Sequence, residues 1–120
     1  MSVRPLIYVV DDEEAIRGAL RVLLRASGFA VTTCASGAEV LSAIEGAKPA
    51  CVLTDYHMPG MDGRELIEAI RRAHPDIHVL LMTGRDESSH VDNLENVRVV
   101  AKPFDVNQLL ETLRSIMPVT

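Results

Sequence analysis

The sequence predicts a doubly wound α/β domain, five parallel strands with helices on both faces. Three observations predict it. Short apolar runs recur along the 120 residues, at Leu6–Val10, Ala30–Cys34, Ala50–Thr54, Ile77–Met82 and Val97–Ala101. Most of the segments between them carry apolar residues at helical spacing. Polar residues gather just past the C-terminal ends of the runs, the rim where an open α/β sheet binds its ligands.

Taken in order, Leu6–Val10 (LIYVV) is continuously apolar, as a strand covered on both faces must be. After Asp11-Asp12-Glu13-Glu14, a helix runs to about Ser27, with Ile16, Ala19, Leu20, Leu23 and Leu24 on one face. Gly28 ends it. The second strand, Ala30–Cys34, is more polar through Thr32 and Thr33. Ser36 is placed to cap a second helix that buries Val40, Leu41 and Ile44, and Gly46 and Pro49 stop it. The third strand, Ala50–Thr54, runs into LTDYHMPGMDG (Leu53–Gly63), where Pro59, Gly60 and Gly63 break regular structure. A third helix, Arg64–Ala73, turns Leu66, Ile67 and Ile70 inward, and the strongly apolar fourth strand, Ile77–Met82, follows. Gly84–Asn96 is polar and weakly patterned. Val97–Ala101 is a strand interrupted by Arg98. Asp105–Met117 is a last helix burying Leu109, Leu110, Leu113, Ile116 and Met117.

Such alternation implies a parallel sheet with right-handed crossovers. The second and fifth strands carry the polar interruptions that suit sheet edges. The expected order is therefore 2-1-3-4-5, the flavodoxin-like arrangement. With no internal repeat, low-complexity tract or linker, residues 1–120 read as one domain. The net charge of −5 argues against a nucleic-acid surface. No apolar run approaches the roughly 20 residues that span a bilayer, and no signal peptide opens the chain, so a cytoplasmic protein is expected. Cys34 and Cys51 fall two strands apart and near opposite ends of this sheet, which predicts two buried free thiols.

Four polar signals converge on one rim in that order. Asp11 and Asp12 end the first strand, Asp55 the third, Thr83 the fourth, and Lys102, before Pro103, the fifth. Three carboxylates cannot crowd together without a cation, and an oxygen-only set with few ligands suits Mg²⁺. Lys102 supplies a point charge for a phosphoryl oxygen, Thr83 a hydroxyl, and the central Asp55 a carboxylate nucleophile able to form an aspartyl phosphate. Each residue also has a plainer reading. Asp11-x-x-Glu14 fits a capping box for the first helix, and Asp55, Thr83 and Lys102 fit ordinary strand-end positions. Their joint placement on four adjacent strand tips favours the chemistry.

The motifs VVDD at 9–12, TDYHMPGMDG at 54–63, LMTG at 81–84 and KPF at 102–104 make the chain resemble the receiver domains of two-component response regulators. The resemblance implies Asp55 as phosphoacceptor, and Asp11 and Asp12 as the acidic pair holding Mg²⁺ together with Asp55 and the backbone carbonyl of His57. It further implies Thr83 as switch hydroxyl, Lys102 as phosphate-binding lysine, and a cis Lys102-Pro103 peptide. The phosphoryl donor it implies is a sensor histidine kinase or histidine phosphotransfer protein. The recipient of the signal is a partner or an attached output domain, with no direct contact to nucleic acid or membrane. The protein would promote only its own phosphorylation and dephosphorylation, with His57 and Arg85 beside the path of the attacking water.

Two departures bear on output. The position three before the lysine, usually aromatic in the family, is Val99, and the stretch from Thr83 to Lys102 is shorter than usual. The fourth helix in chain order, within Gly84–Asn96, is therefore expected to be short or irregular, ordering on phosphorylation. Two other functions compete. A phosphatase or phosphotransferase with an Asp nucleophile often carries Asp-x-Asp, whereas Tyr56 and His57 follow Asp55 here. A flavin-binding module needs a Ser-, Thr- and Gly-rich loop after the first strand, where this chain has Asp11-Asp12.

Overall fold

The structure, a computed structural model, describes residues 4–83, 97–101 and 105–117. Its elements are β1 (Leu6–Val10), α1 (Glu14–Ala26), β2 (Ala30–Cys34), α2 (Gly37–Gly46), β3 (Cys51–Asp55), α3 (Gly63–Ala73), β4 (His78–Thr83), β5 (Val97–Ala101) and α4 (Val106–Ile116). The strands form one parallel sheet in the order β2-β1-β3-β4-β5, with the polar strands at its edges as their composition requires. The expected helix within Gly84–Asn96, Arg85, and the Lys102-Pro103 peptide lie outside the described residues.

Each face of the sheet carries its own apolar core. On one, Val10, Val52, Val79 and Leu81 meet Val40 and Ile44 of α2 and Leu66, Ile67 and Ile70 of α3. On the other, Ile7, Val9, Leu53, Leu80 and Met82 meet Leu20 and Leu24 of α1 and Leu109 and Leu113 of α4. β1, β3 and β4 are thus buried on both sides, which is why their sequences run apolar without alternation. Tyr8, the polar exception in β1, is buried and reaches the carbonyl oxygen of Ala43 at 3.2 Å and that of Ala47, so its hydroxyl is satisfied at the C-terminal end of α2.

Helix ends follow local chemistry. Ser36 caps α2 by accepting from the Glu39 N–H, as the sequence predicts. Gly28 takes φ 101° after α1. α3 begins one residue earlier than its apolar pattern indicates, because Asp62 and Glu65 form a reciprocal capping box around its first turn. β3 and β4 each end one residue later than expected, at Asp55 and Thr83. The Tyr56 N–H donates to the Met82 carbonyl at 3.0 Å, which carries the β3–β4 ladder to the strand tips. The Asp55 and Thr83 side chains therefore stand on strand backbone rather than on loops.

Both cysteines are free and buried. Cys34 pairs with Val10 and Cys51 with Ile7, at opposite ends of β1. Burial pushes the Cys51 thiol up to about 12, so it carries no reactive thiolate at neutral pH.

Gly63 is where α3 meets the tip of β3. A Cβ there would stand 2.9 Å from the Cα of Tyr56, 3.0 Å from the Asp55 carbonyl oxygen and 2.8 Å from a Leu81 methyl. Its N–H donates to the Tyr56 carbonyl at 2.7 Å, so the helix start is tied to the residue after Asp55. Two of these three neighbours are backbone and cannot turn aside. Gly63→Ala is expected to destabilise the domain by about 1–3 kcal/mol, read from urea unfolding; an unchanged midpoint would show that α3 can move away freely.

Candidate functional site

The register of the sheet builds the site. Val10 stands opposite Thr54, and Asp55 opposite Met82. Asp11 follows Val10, and its N–H donates to the Cys34 carbonyl at 3.2 Å, prolonging the β1–β2 ladder by one residue. Asp11 and Asp55 are therefore level on neighbouring strands. By the two-residue period of strands, they continue the face of Val9 and Leu53. Thr83, opposite Ala101, ends the next strand.

One carboxylate oxygen from each of Asp11, Asp12 and Asp55 lies within 4.8 Å of the others. Asp11 and Asp55 are buried at 0% and 6% exposure, and Asp12 is exposed, so the cluster opens to solvent on one side. Two buried unit charges at this separation repel by about 3 kcal/mol at an effective dielectric of about 20. A cation relieves that cost. All the donors are oxygens, and ligands about 2 Å from an octahedral Mg²⁺ stand at most about 4 Å apart, so a small contraction of the cluster suffices. The residues present fit the ion.

Thr83 is buried at 1% exposure, and its Oγ1 has no hydrogen-bond partner among the described residues. A buried hydroxyl calls for an acceptor, and one brought to the strand tip from outside would serve. The neighbouring Thr54 differs, since its hydroxyl donates to the Asp55 carbonyl at 3.0 Å. Tyr56 is buried beside the exposed His57, their rings edge to face at 5.2 Å.

The structure thus brings together Asp11, Asp12 and Asp55, and sets Thr83 at the end of the adjoining strand. His57 lies two residues beyond Asp55. Lys102 lies outside the described residues. The capping-box reading of Asp11-x-x-Glu14 is overturned. The residue before α1 is Glu13, with no side-chain cap bond, and the Asp11 carboxylate accepts from the Glu13 N–H at 2.9 Å instead. Two contributors escaped the sequence. Gly63 reads as one more loop breaker, and its close approach is tertiary. Arg17 lies off the apolar face of the first helix and carries no motif, and its Nη1 donates to the Asp11 carbonyl at 2.7 Å.

Comparison with known proteins agrees. The family model described as the response regulator receiver domain matches residues 7–114. The chain is 37% identical over 108 residues to the DNA-binding transcriptional regulator NtrC of Escherichia coli, covering 88% of this chain and 23% of that protein. It is 33% identical over 118 residues to the transcriptional regulatory protein FixJ of Bradyrhizobium diazoefficiens, covering 96% of this chain and 58% of that protein. Among solved structures, the chemotaxis protein CheY4 of Vibrio cholerae superposes with a TM-score of 0.86 at 26% identity, covering 96% of this chain and 100% of that one. The chain spans only part of the length of the curated regulators it matches, from 23% of the first to 58% of the second. With the family model running nearly end to end and the sheet register holding the motif residues at one rim, the chain belongs to the response regulator receiver domains of two-component signalling.

Proposed function

We propose that residues 1–120 form one receiver domain in which Asp55 accepts a phosphoryl group from the phosphohistidine of a sensor kinase or phosphotransfer protein. The observation that carries this reading is the buried Asp55 carboxylate, within 4.8 Å of two further carboxylates on the rim of the sheet. Receivers act with histidine kinases as signalling switches, and this chain shares their family. In the reaction, one Asp55 oxygen attacks phosphorus, the phosphorus–nitrogen bond breaks, and the imidazole nitrogen leaves with the electron pair.

Asp11, Asp12, Asp55 and the His57 carbonyl would hold Mg²⁺, which when bound supplies positive charge against that developing on the phosphoryl oxygens. The rigid strand tips hold the nucleophile in place, so little reorganisation accompanies attack. Thr83 would donate its buried hydroxyl to a phosphoryl oxygen, and Lys102 would bring its ammonium to another; the support for Lys102 is its motif. No nucleophile other than Asp55 is invoked, and water hydrolysing the acyl phosphate resets the switch. The domain would work in the cytoplasm, where it meets its kinase, and pass the signal to a partner or an attached output domain. Among the described residues no helix is long and apolar enough to cross a membrane.

Intact mass after treatment with acetyl phosphate and Mg²⁺ is expected to show one added phosphoryl group, absent from Asp55→Asn. Equal labelling of that variant would overturn the assignment. Thr83→Val keeps the side-chain shape while removing the buried hydroxyl. It is expected to abolish the phosphorylation-induced amide shifts around residue 83. A Thr83→Val protein that responds to phosphorylation like wild type would contradict the role given to Thr83.

A further inference from the structure

We infer that Arg17 is a positioning residue for the acidic pair: its guanidinium grips the peptide joining Asp11 to Asp12 and thereby sets where the Asp12 carboxylate stands. The inference rests on reading Asp11 and Asp12 as ligands of Mg²⁺.

The two aspartates are held very differently. Asp11 is buried, with its N–H on the Cys34 carbonyl at 3.2 Å and its carboxylate on the Glu13 N–H at 2.9 Å. Asp12 is exposed, and no packing against the core fixes its side chain. What can fix it is its own backbone. The carbonyl of Asp11 belongs to the planar peptide unit that carries the Asp12 nitrogen and Cα. Arg17 Nη1 donates to that carbonyl at 2.7 Å, at the short end of the N–H···O range.

The grip spans two elements. Arg17 is half-buried in the first turns of α1, and its own N–H donates to the Glu13 carbonyl at 3.1 Å. Because Glu13 makes no side-chain cap, α1 joins the tip of β1 through the Glu13 N–H on Asp11 and through Arg17. A guanidinium suits this use, being planar, always charged and only weakly hydrated. Its charge is felt at the neighbouring strand end too. The Cys34 thiol is raised by burial first and by Glu39 second, with Arg17 pulling it the other way.

A plainer role for Arg17 would be to offset the negative cluster by its charge alone. The two roles predict opposite signs. A cation beside a metal site repels the metal, so removing it should tighten Mg²⁺ binding. A grip that orients a ligand should weaken binding when lost, since partners that orient metal ligands carry roughly ten-fold or more in affinity.

The test is Mg²⁺ titration of the whole chain, followed by the amide shifts of Asp12 and Asp55, with urea unfolding in chelator run alongside. Arg17→Met keeps the apolar stem and removes the donors and the charge, and Arg17→Gln serves the same comparison should Arg17→Met not fold. Expected is a Mg²⁺ affinity weakened roughly ten-fold, with Arg17→Lys, which keeps charge and a donor, recovering most of it. Wild-type or tighter Mg²⁺ binding by the neutral variants would overturn the inference, even if their unfolding midpoint falls. A wild-type chain that binds no Mg²⁺ would overturn the metal-site reading itself and the inference with it.

Discussion

The structure depends on the mutual repulsion of carboxylates fixed at the tips of adjacent strands. Asp11 and Asp55 are buried, level with each other on β1 and β3, and within 4.8 Å of a third carboxylate. Domains of this size are stable by only about 5–15 kcal/mol, so one repulsion of about 3 kcal/mol is a large fraction. A fold that keeps such a cluster needs a strong core beneath it. It has two, one on each face of a sheet whose central strands are buried throughout.

The backbone prevents the carboxylates from separating. Parallel register is set by every apolar side chain on β1, β3 and β4, and a slip of one residue would turn each of them to the wrong face. The ladder continues to the rim through the Asp11 and Tyr56 N–H groups. Beyond the rim, Gly63 lets α3 start against the tip of β3, and the Asp62–Glu65 box fixes that start. The cluster is thus held by rigid elements, and only the exposed Asp12 relies on a loop peptide. Functionally, the same arrangement favours a ligand that brings positive charge, as a divalent cation does.

Much of this was legible in the sequence. The polarity of the second and fifth runs placed the edges, and with them the strand order. The abrupt ends of LIYVV and ACVLT placed Asp11 and Asp55 on the rim, and their adjacency followed from the order. Ser36 announced its cap. What stayed hidden depends on contacts distant in sequence or on competition between local options. Asp62 lies among turn residues, so its capping box was masked by Pro59, Gly60 and Gly63. Asp11-x-x-Glu14 looked like such a box, but Asp11 belongs to the strand tip, and its carboxylate caps Glu13 instead. Arg17 has the periodicity of a solvent-facing residue, and nothing local shows that its guanidinium turns back to the β1 tip. The burial of Thr83, whose hydroxyl finds no partner among the described residues, is likewise a property of the folded rim.

The repulsion among the rim carboxylates is measured most directly by the unfolding free energy of the wild-type chain with Mg²⁺ and with K⁺ at matched ionic strength. A ligand that binds only the folded state adds about 2.7 kcal/mol at a hundred times its dissociation constant. A saturable rise in stability with Mg²⁺ beyond that given by K⁺ is expected, because the ion relieves the repulsion among Asp11, Asp12 and Asp55. Identical stability in the two salts across the millimolar range would contradict it.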